Sequence, residues 1–139
     1  MKAESVFKRI LFNNAGDRLK LSSIDNWGNI KWENISESFY GCSNVQGTYI
    51  DVPNWAKAMT AANFFHKCAK FNWSVNNFYT ASITNMTSMF NECTIFNQPL
   101  SNWNTGNVTS LASMFRLCSA FNQDISNFNV KKVTTAGNM

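Results

Sequence analysis

Four cysteines and one histidine are the residues of this sequence that could act as nucleophiles, form disulfides or bind a metal. The cysteines are Cys42, Cys68, Cys93 and Cys118, and His66 lies two residues before the second of them. A thiol beside an imidazole can form a nucleophilic pair, and four cysteines can form a disulfide framework or a zinc site. Zinc sites usually pair their ligands at gaps of about two to four residues. These cysteines are spaced 26, 25 and 25 residues apart, which argues against zinc.

The cysteine spacing indicates an internal repeat. A repeat of this length predicts a solenoid, in which equivalent residues stack as ladders inside the coil. Neighbouring turns of such a coil lie about 4.8 Å apart, and side chains stacked in parallel suit a disulfide poorly. We therefore expect buried, reduced cysteines that act as small apolar residues. Phenylalanines precede the cysteines by three residues at Phe39, Phe65, Phe90 and Phe115, and apolar residues follow them by three at Val45, Phe71, Phe96 and Phe121.

The register also argues against catalysis. The column of His66 holds Tyr40, Asn91 and Arg116 in the other repeats, which predicts a solvent-facing position, whereas Cys68 belongs to the inward column. The acidic residues do not fall at one repeat position, as a converging pair of catalytic carboxylates requires. The sequence has no Gly-rich phosphate loop and no HExxH motif. We therefore expect no enzyme activity, no catalytic residue, no metal and no cofactor.

Within each repeat, the apolar spacing predicts a short helix followed by a short strand. Leu111, Met114, Phe115 and Cys118 are spaced i, i+3, i+4, i+7, as on one face of a helix. The segments LSNW and ISNF are typical of short strands, and asparagine-rich joints are typical of turns. The expected fold class is α/β: a right-handed leucine-rich-repeat-like solenoid of about four 25-residue repeats, with a short helix and a short parallel strand in each turn.

The expected organisation is an N-terminal cap or arm followed by the repeats. Val6, Ile10, Leu11 and Phe12 are apolar residues that could cover the open end of the first turn. The cap or arm is predicted over residues 1–20 and the repeat solenoid over 21–139, with turns near 27–52, 53–80, 81–105 and 106–130 and a partial fifth turn over 131–139.

Composition excludes several classes of partner. Charged residues make up 14% of the 139 residues, against roughly a quarter in typical domains. The net charge is +4, but acids are interleaved with the basic residues, so the clustered basic face of a nucleic-acid-binding protein is not expected. No stretch approaches the roughly 20 apolar residues of a membrane span. Glu4, Lys8 and Arg9 occupy the place of a signal peptide's apolar core, so we expect no export signal.

From Ile83 onwards the sequence resembles the BspA-type leucine-rich-repeat surface proteins, in particular the mycoplasma lipoprotein repeat of the DUF285 class. The match is looser over residues 21–80. The resemblance implies surface-exposed adhesion or recognition proteins, some of them in phages and large viruses, without catalytic activity. It implies a cell-surface or virion location, although this chain shows no signal peptide. The pattern is carried by Met89, Phe90, Cys93, Phe96, Asn97, Gln98, Leu100, Ser101, Trp103 and Val108, and again by Met114, Phe115, Cys118, Phe121, Asn122, Gln123, Ile125, Ser126, Phe128 and Val133.

The outward positions of the predicted strands form the candidate binding face. This face is polar and nearly uncharged, which suits a carbohydrate or protein surface bound through hydrogen bonds; the alternative is a face that is merely solvated. We expect a non-enzymatic surface recognition or adhesion module; the alternative is a structural virion component, such as a phage tail or capsid-associated protein. The candidate binding residues are Tyr49, Asp51, Ser74, Asn76, Pro99, Ser101, Asp124 and Ser126.

Two further features suggest contacts with a partner. Trp73 and Tyr79 fall outside the apolar columns, so they are candidates either for exposed contact residues or for contacts with the cap. Met139 occupies the column of Met89 and Met114, so the sequence ends inside the predicted fifth helix without a polar cap. Because the ends of repeat arrays need polar caps to stay soluble, we expect another chain, a second copy or further sequence of the same protein to cover this end.

Overall fold

The computed structural model describes residues 10–29, 31–47 and 51–139. These residues contain no α-helix and no extended strand. Their regular pairing consists of isolated parallel bridges, three of which connect residues 25 apart: Thr60 with Asn85, Asn85 with Ser110, and Ser110 with Thr135. The 25-residue register is therefore present, but the predicted α/β solenoid with a helix and a strand in each turn is wrong. Each repeat is built from turns that stack on the next repeat.

The segment that precedes each cysteine is a run of β-turns. In the third repeat, the N–H groups of Met89, Asn91 and Cys93 each donate to the carbonyl three residues earlier, at 3.1, 3.2 and 2.9 Å. Ser88 and Glu92 have φ values of 54° and 63°. A type II turn requires positive φ at its third residue, whereas every residue of an α-helix has negative φ. The segment is therefore a series of β-turns and cannot be an α-helix.

Four of the remaining amides of this segment bond to the following repeat. The Thr87 N–H group instead donates to Asn85 Oδ1, at 2.9 Å. From Met86 to Glu92, every second N–H group donates to a carbonyl of the next repeat. Stacking thus supplies hydrogen bonds that a helix would make internally, and it satisfies buried peptide groups that would otherwise be costly. The pairs in the third repeat are Met86 to Ser110, Ser88 to Ala112, Phe90 to Met114 and Glu92 to Arg116, with N···O distances of 2.9–3.0 Å.

Aromatic rings fill the interior of the stack. The ring of Phe90 lies 5.9 Å from that of Phe65 and 6.0 Å from that of Phe115, with interplanar angles of 13° and 1°. Phe96 and Phe121 form a second column, with ring centroids 5.8 Å apart. Phe90 and Phe96 are completely buried. The predicted inward columns are therefore the core.

The cysteines form a buried ladder of free thiols, as predicted. The thiols of Cys68, Cys93 and Cys118 donate to phenylalanine carbonyls of the preceding repeat, at sulfur–oxygen distances of 3.1, 3.0 and 2.8 Å. Burial raises the pKa of Cys42 to about 12 and that of Cys118 to about 11. Since the thiolate is the reactive form, these thiols are structural groups.

Residues 12–14 lie along the first complete repeat. The N–H groups of Phe12 and Asn14 donate to the carbonyls of Ser38 and Tyr40, at 3.1 and 2.8 Å. This segment approaches Gly41 closely: a Cβ atom at Gly41 would lie 2.9 Å from Asn14 Cα, and φ there is +82°. Only glycine tolerates both conditions. Val6, from the predicted cap, lies outside the described residues.

Candidate functional site

Side-chain amides connect the repeats along the face that was predicted to bind. Asn72 Oδ1 accepts a hydrogen bond from the Asn97 N–H group, and Asn97 Oδ1 accepts one from the Asn122 N–H group, both at 2.9 Å. The Nε2 groups of Gln98 and Gln123 donate to the same two oxygens, at 3.0 and 2.9 Å. We call Asn72, Asn97 and Asn122 the asparagine ladder. It lies at the asparagine-rich joints that are predicted as turns, just before the predicted strands.

Several predicted binding residues on this face have structural partners. Asp51 accepts hydrogen bonds from the N–H groups of Trp27 and Gly28, both at 2.7 Å. Asn76 donates to Ser101 Oγ at 3.2 Å and accepts from the Asn102 N–H group at 2.9 Å. The amide oxygen of Asn76 and the carboxylate of Asp51 therefore help to hold the turns that carry them.

The remaining predicted residues are exposed. Ser74, Pro99, Asp124 and Ser126 are open to solvent, and so is Ser101. The Ser126 N–H group donates to Asp124 at 2.8 Å, and this bond holds the pKa of Asp124 below its usual value. We define the polar face as residues 74–76, 99–101 and 124–126, which equivalent positions of three successive repeats provide. Tyr49 lies outside the described residues.

The two aromatic residues outside the columns have different environments. Trp73 is 8% exposed and packs against Phe71, with ring centroids 4.9 Å apart, so the exposed one of its two predicted roles is wrong. Tyr79 is 50% exposed, as predicted. Its ring borders a shallow groove beside the polar face, which we call the Tyr79 groove. The groove is lined by Asn76, Asn77, Phe78, Tyr79, Thr80, Ala81, Asn102 and Asn104.

His66 lies in a packed cluster, and its predicted solvent-facing position is wrong. Its side chain is 12% exposed and its ring stacks on Tyr40, with centroids 4.3 Å apart. Its Nδ1 atom lies 3.0 Å from Asn63 Oδ1, and its Nε2 atom lies 3.5 Å from Glu92. Burial lowers the pKa of His66, although Glu92 opposes this shift. Cys68 instead bonds to a backbone carbonyl, so the two side chains have separate partners.

An apolar concavity lies at the C-terminal end of the stack. Val130 is 58% exposed and Met139 is 41% exposed. The backbone ladder extends to this end through the bond from the Ser113 N–H group to the Gly137 carbonyl, at 2.9 Å. The concavity is lined by Leu111, Ile125, Phe128, Val130, Val133, Ala136 and Met139.

A metal-ligand cluster and a membrane-spanning helix are both absent from residues 10–29, 31–47 and 51–139. Within these ranges, no three His, Cys, Asp or Glu side chains come together as metal ligands would. The same part of the chain contains no helix with the length and apolarity needed to cross a membrane.

Comparison with known families identifies the repeat. The family model described as Mycoplasma protein of unknown function, DUF285, matches residues 7–76 and 33–139. The chain belongs to the DUF285 family. The predicted DUF285 class is thus confirmed for this DUF285 protein, whereas the match does not extend to the BspA-type leucine-rich-repeat assignment. No curated protein and no solved structure matches the chain.

The asparagine ladder is the feature of this DUF285 protein that sequence reasoning missed. The sequence predicts turns at these asparagines, because asparagine tolerates turn conformations. That prediction does not include the hydrogen bonds that their side chains make to the next repeat. Their 25-residue spacing, with Gln98 and Gln123 each following an asparagine of the ladder, was the available signal. Identical amides at one repeat position can pair with the neighbouring repeat along the whole stack.

Proposed function

We propose that this DUF285 protein is a non-enzymatic recognition module that binds a protein or carbohydrate surface through the polar face. The observation that carries the proposal is a set of exposed hydroxyl groups beside repeats that are connected by hydrogen bonds. Ser101 and Ser126 occupy equivalent places in successive repeats, Ser74 lies two positions earlier in its own repeat, and all three are exposed. The asparagine ladder beside them fixes their spacing, and a preorganised surface loses less conformational entropy on binding.

Two further arguments support recognition by this face. It carries one carboxylate, that of Asp124, and no basic residue, which favours hydrogen-bonded ligands over strongly charged ones. The resemblance to BspA-type surface proteins also favours a surface recognition or adhesion role. Catalysis has less support, because burial raises the pKa of all four thiols and His66 is held by Tyr40 and Asn63.

The test is a screen of the purified chain against a glycan array and against intact cells. A variant with arginine at Ser74, Ser101 and Ser126 is expected to lose most of the signal, because bulky charged side chains would cover the face. The control variant carries arginine at Ala56 and Ala120, which are exposed but lie outside the face. Retained binding by the triple variant would exclude the polar face as the contact surface.

A structural assembly role, as in a virion, is the second candidate, and the apolar C-terminal end favours it. We propose that a second copy of the chain covers Val130 and Met139, since continued stacking would bury both side chains. Light scattering should then show an average mass that rises with protein concentration, and Val130→Lys should abolish the rise. A constant monomer mass at high concentration would contradict this assembly role.

A further inference from the structure

The backbone around Tyr79 is held on both sides. Trp55, 24 residues earlier in the chain, donates from its indole Nε1 to the Tyr79 carbonyl, at 2.6 Å. The flanking residues Phe78 and Thr80 are each 4% exposed. The Thr80 hydroxyl donates to the Asn104 carbonyl at 3.1 Å and accepts from the Asn104 N–H group at 2.9 Å. A half-exposed phenol ring is therefore presented from a fixed position.

Asparagine amides surround this ring, and part of their hydrogen-bonding capacity faces solvent. Asn102 Nδ2 donates to Asn77 Oδ1 at 3.2 Å, which leaves the Asn77 NH₂ group and the Asn102 amide oxygen for a ligand. Asn104 Oδ1 accepts from the Gly106 N–H group at 3.0 Å, which leaves the Asn104 NH₂ group. The groove thus combines amide donors, an amide acceptor and the phenol hydroxyl, all within the described residues.

This combination matches the chemistry of a sugar. The C–H groups on one face of a pyranose ring form an apolar surface that packs on an aromatic ring. Each sugar hydroxyl both donates and accepts a hydrogen bond, as do the exposed amides taken together. No acidic or basic residue lines the groove, so nothing there would compensate a charged ligand for the water it loses.

The other polar concavities lack this combination. The concavity between Lys67, Glu92 and Leu117 carries charges of both signs and no aromatic ring. The concavity beside Gln46 and Lys70 includes Trp73, but 8% exposure leaves little of the indole for stacking. Of these three polar concavities, the Tyr79 groove has the chemistry that best fits an uncharged polar ligand.

We propose that the Tyr79 groove binds a neutral saccharide, with one sugar ring stacked on Tyr79 and its hydroxyls paired with Asn77, Asn102 and Asn104. This proposal rests on the recognition role proposed above, and it names a ligand class and a contact site for it. Asn76 belongs both to the groove lining and to the polar face. The next sugar unit of a bound oligosaccharide would therefore lie on the polar face.

The test is a titration of the full chain with neutral oligosaccharides built from glucose, galactose, mannose or N-acetylglucosamine. At least one should bind, and Tyr79→Ala should lower its association constant about 10-fold through the loss of ring stacking. Tyr79→Phe should stay within about three-fold of the wild type, because the ring is retained. Met59→Ala serves as the control, since Met59 is 62% exposed and lies outside the groove. Thermal unfolding of each variant checks that it is folded.

The possible failures can be told apart. Wild-type affinity in Tyr79→Ala, together with loss of binding in the Ser74, Ser101 and Ser126 variant, would overturn the groove and leave the recognition role intact. Binding of a protein ligand without binding of any saccharide would overturn the ligand class alone. A chain that binds neither saccharides nor cell surfaces would overturn both proposals.

Discussion

The asparagine ladder predicts that the side-chain oxygen of Asn97, as a hydrogen-bond acceptor, contributes to stability and that its NH₂ group does not. Asn97 Oδ1 accepts two hydrogen bonds, from the Asn122 N–H group and from Gln123 Nε2, both at 2.9 Å. Asn97→Ala removes this oxygen. A net contribution of about 0.5–1.5 kcal/mol per hydrogen bond gives a range of about 1–3 kcal/mol. Water can replace part of the loss because Asn122 is exposed, so we expect a decrease of about 1–2 kcal/mol in the free energy of unfolding.

Aspartate at the same position separates the acceptor from the donor. Asn97→Asp retains two acceptor oxygens, so at pH 7 we expect it to stay within about 0.5 kcal/mol of the wild type. Asn127 provides the matched control, because its Nδ2 group donates to the carbonyls of Leu100 and Ser101, at 3.3 and 3.2 Å. A carboxylate cannot donate. Asn127→Asp should therefore be at least as destabilising as Asn127→Ala.

The assay is urea unfolding of the five proteins, followed by tryptophan fluorescence and analysed by linear extrapolation. The m-value should remain constant across the series, since these substitutions change few buried contacts. Equal destabilisation by Asn97→Ala and Asn97→Asp would refute the acceptor role. An unchanged free energy of unfolding for Asn97→Ala would refute the ladder as a source of stability.

Three further predictions concern the core, the turns and the thiols. Phe90→Ala should lower the free energy of unfolding, measured in urea, by about 3–5 kcal/mol, since Phe90 is completely buried between two stacked rings. An unchanged urea midpoint would contradict the role of the phenylalanine column as the core. Leu117 is 57% exposed and has a φ of 60°, a backbone conformation in which glycine avoids about 1 kcal/mol of strain. Leu117→Gly should therefore raise the melting temperature, whereas Leu117→Ala should not, because alanine retains the Cβ atom. Burial raises the pKa of Cys42 to about 12 from 9.0, so the folded chain retains a proton that the unfolded chain releases. Stability should therefore be full below pH 9 and fall between about pH 9 and 12, less steeply in Cys42→Ala, when urea midpoints are measured against pH.

The sequence predicted the repeat and the core because both follow from spacing. The Phe90 and Cys93 columns are buried as expected, since apolar residues that recur every 25 residues must stack when the repeats stack. The same spacing could not distinguish a helix from consecutive β-turns. Both place residues at i, i+3 and i+4 on one side, and the choice is made by the next repeat, which accepts every second amide.

A signal for the turns was present in the residues at positive φ. Asn63, Ser88 and Ser113 occupy one such column, with Glu37 at the equivalent place in the first described repeat. Asparagine tolerates left-handed conformations and serine favours turns, but glutamate does not, so the column is too mixed to be recognised without the backbone. Residues such as Lys67 and Leu117 adopt positive φ only because stacking determines the conformation of both neighbours.

The candidate site was predictable in part. The exposure of Tyr79 and of the three serines followed from their place outside the apolar columns. The burial of Trp73 did not, because its packing against Phe71 depends on the shape of the turn between them. The amides around Tyr79 come from two successive repeats, and their distances to the ring require the stacking geometry.

Recognition through the polar face and the adjoining Tyr79 groove is tested most directly by amide chemical-shift mapping of the labelled chain. The titrant is the neutral saccharide that binds best in the screen. We expect the largest shifts over residues 74–81 and 99–104, with smaller ones near Ser126. Shifts confined to the neighbourhood of Lys67 and Glu92, or to the C-terminal concavity around Met139, would contradict this account.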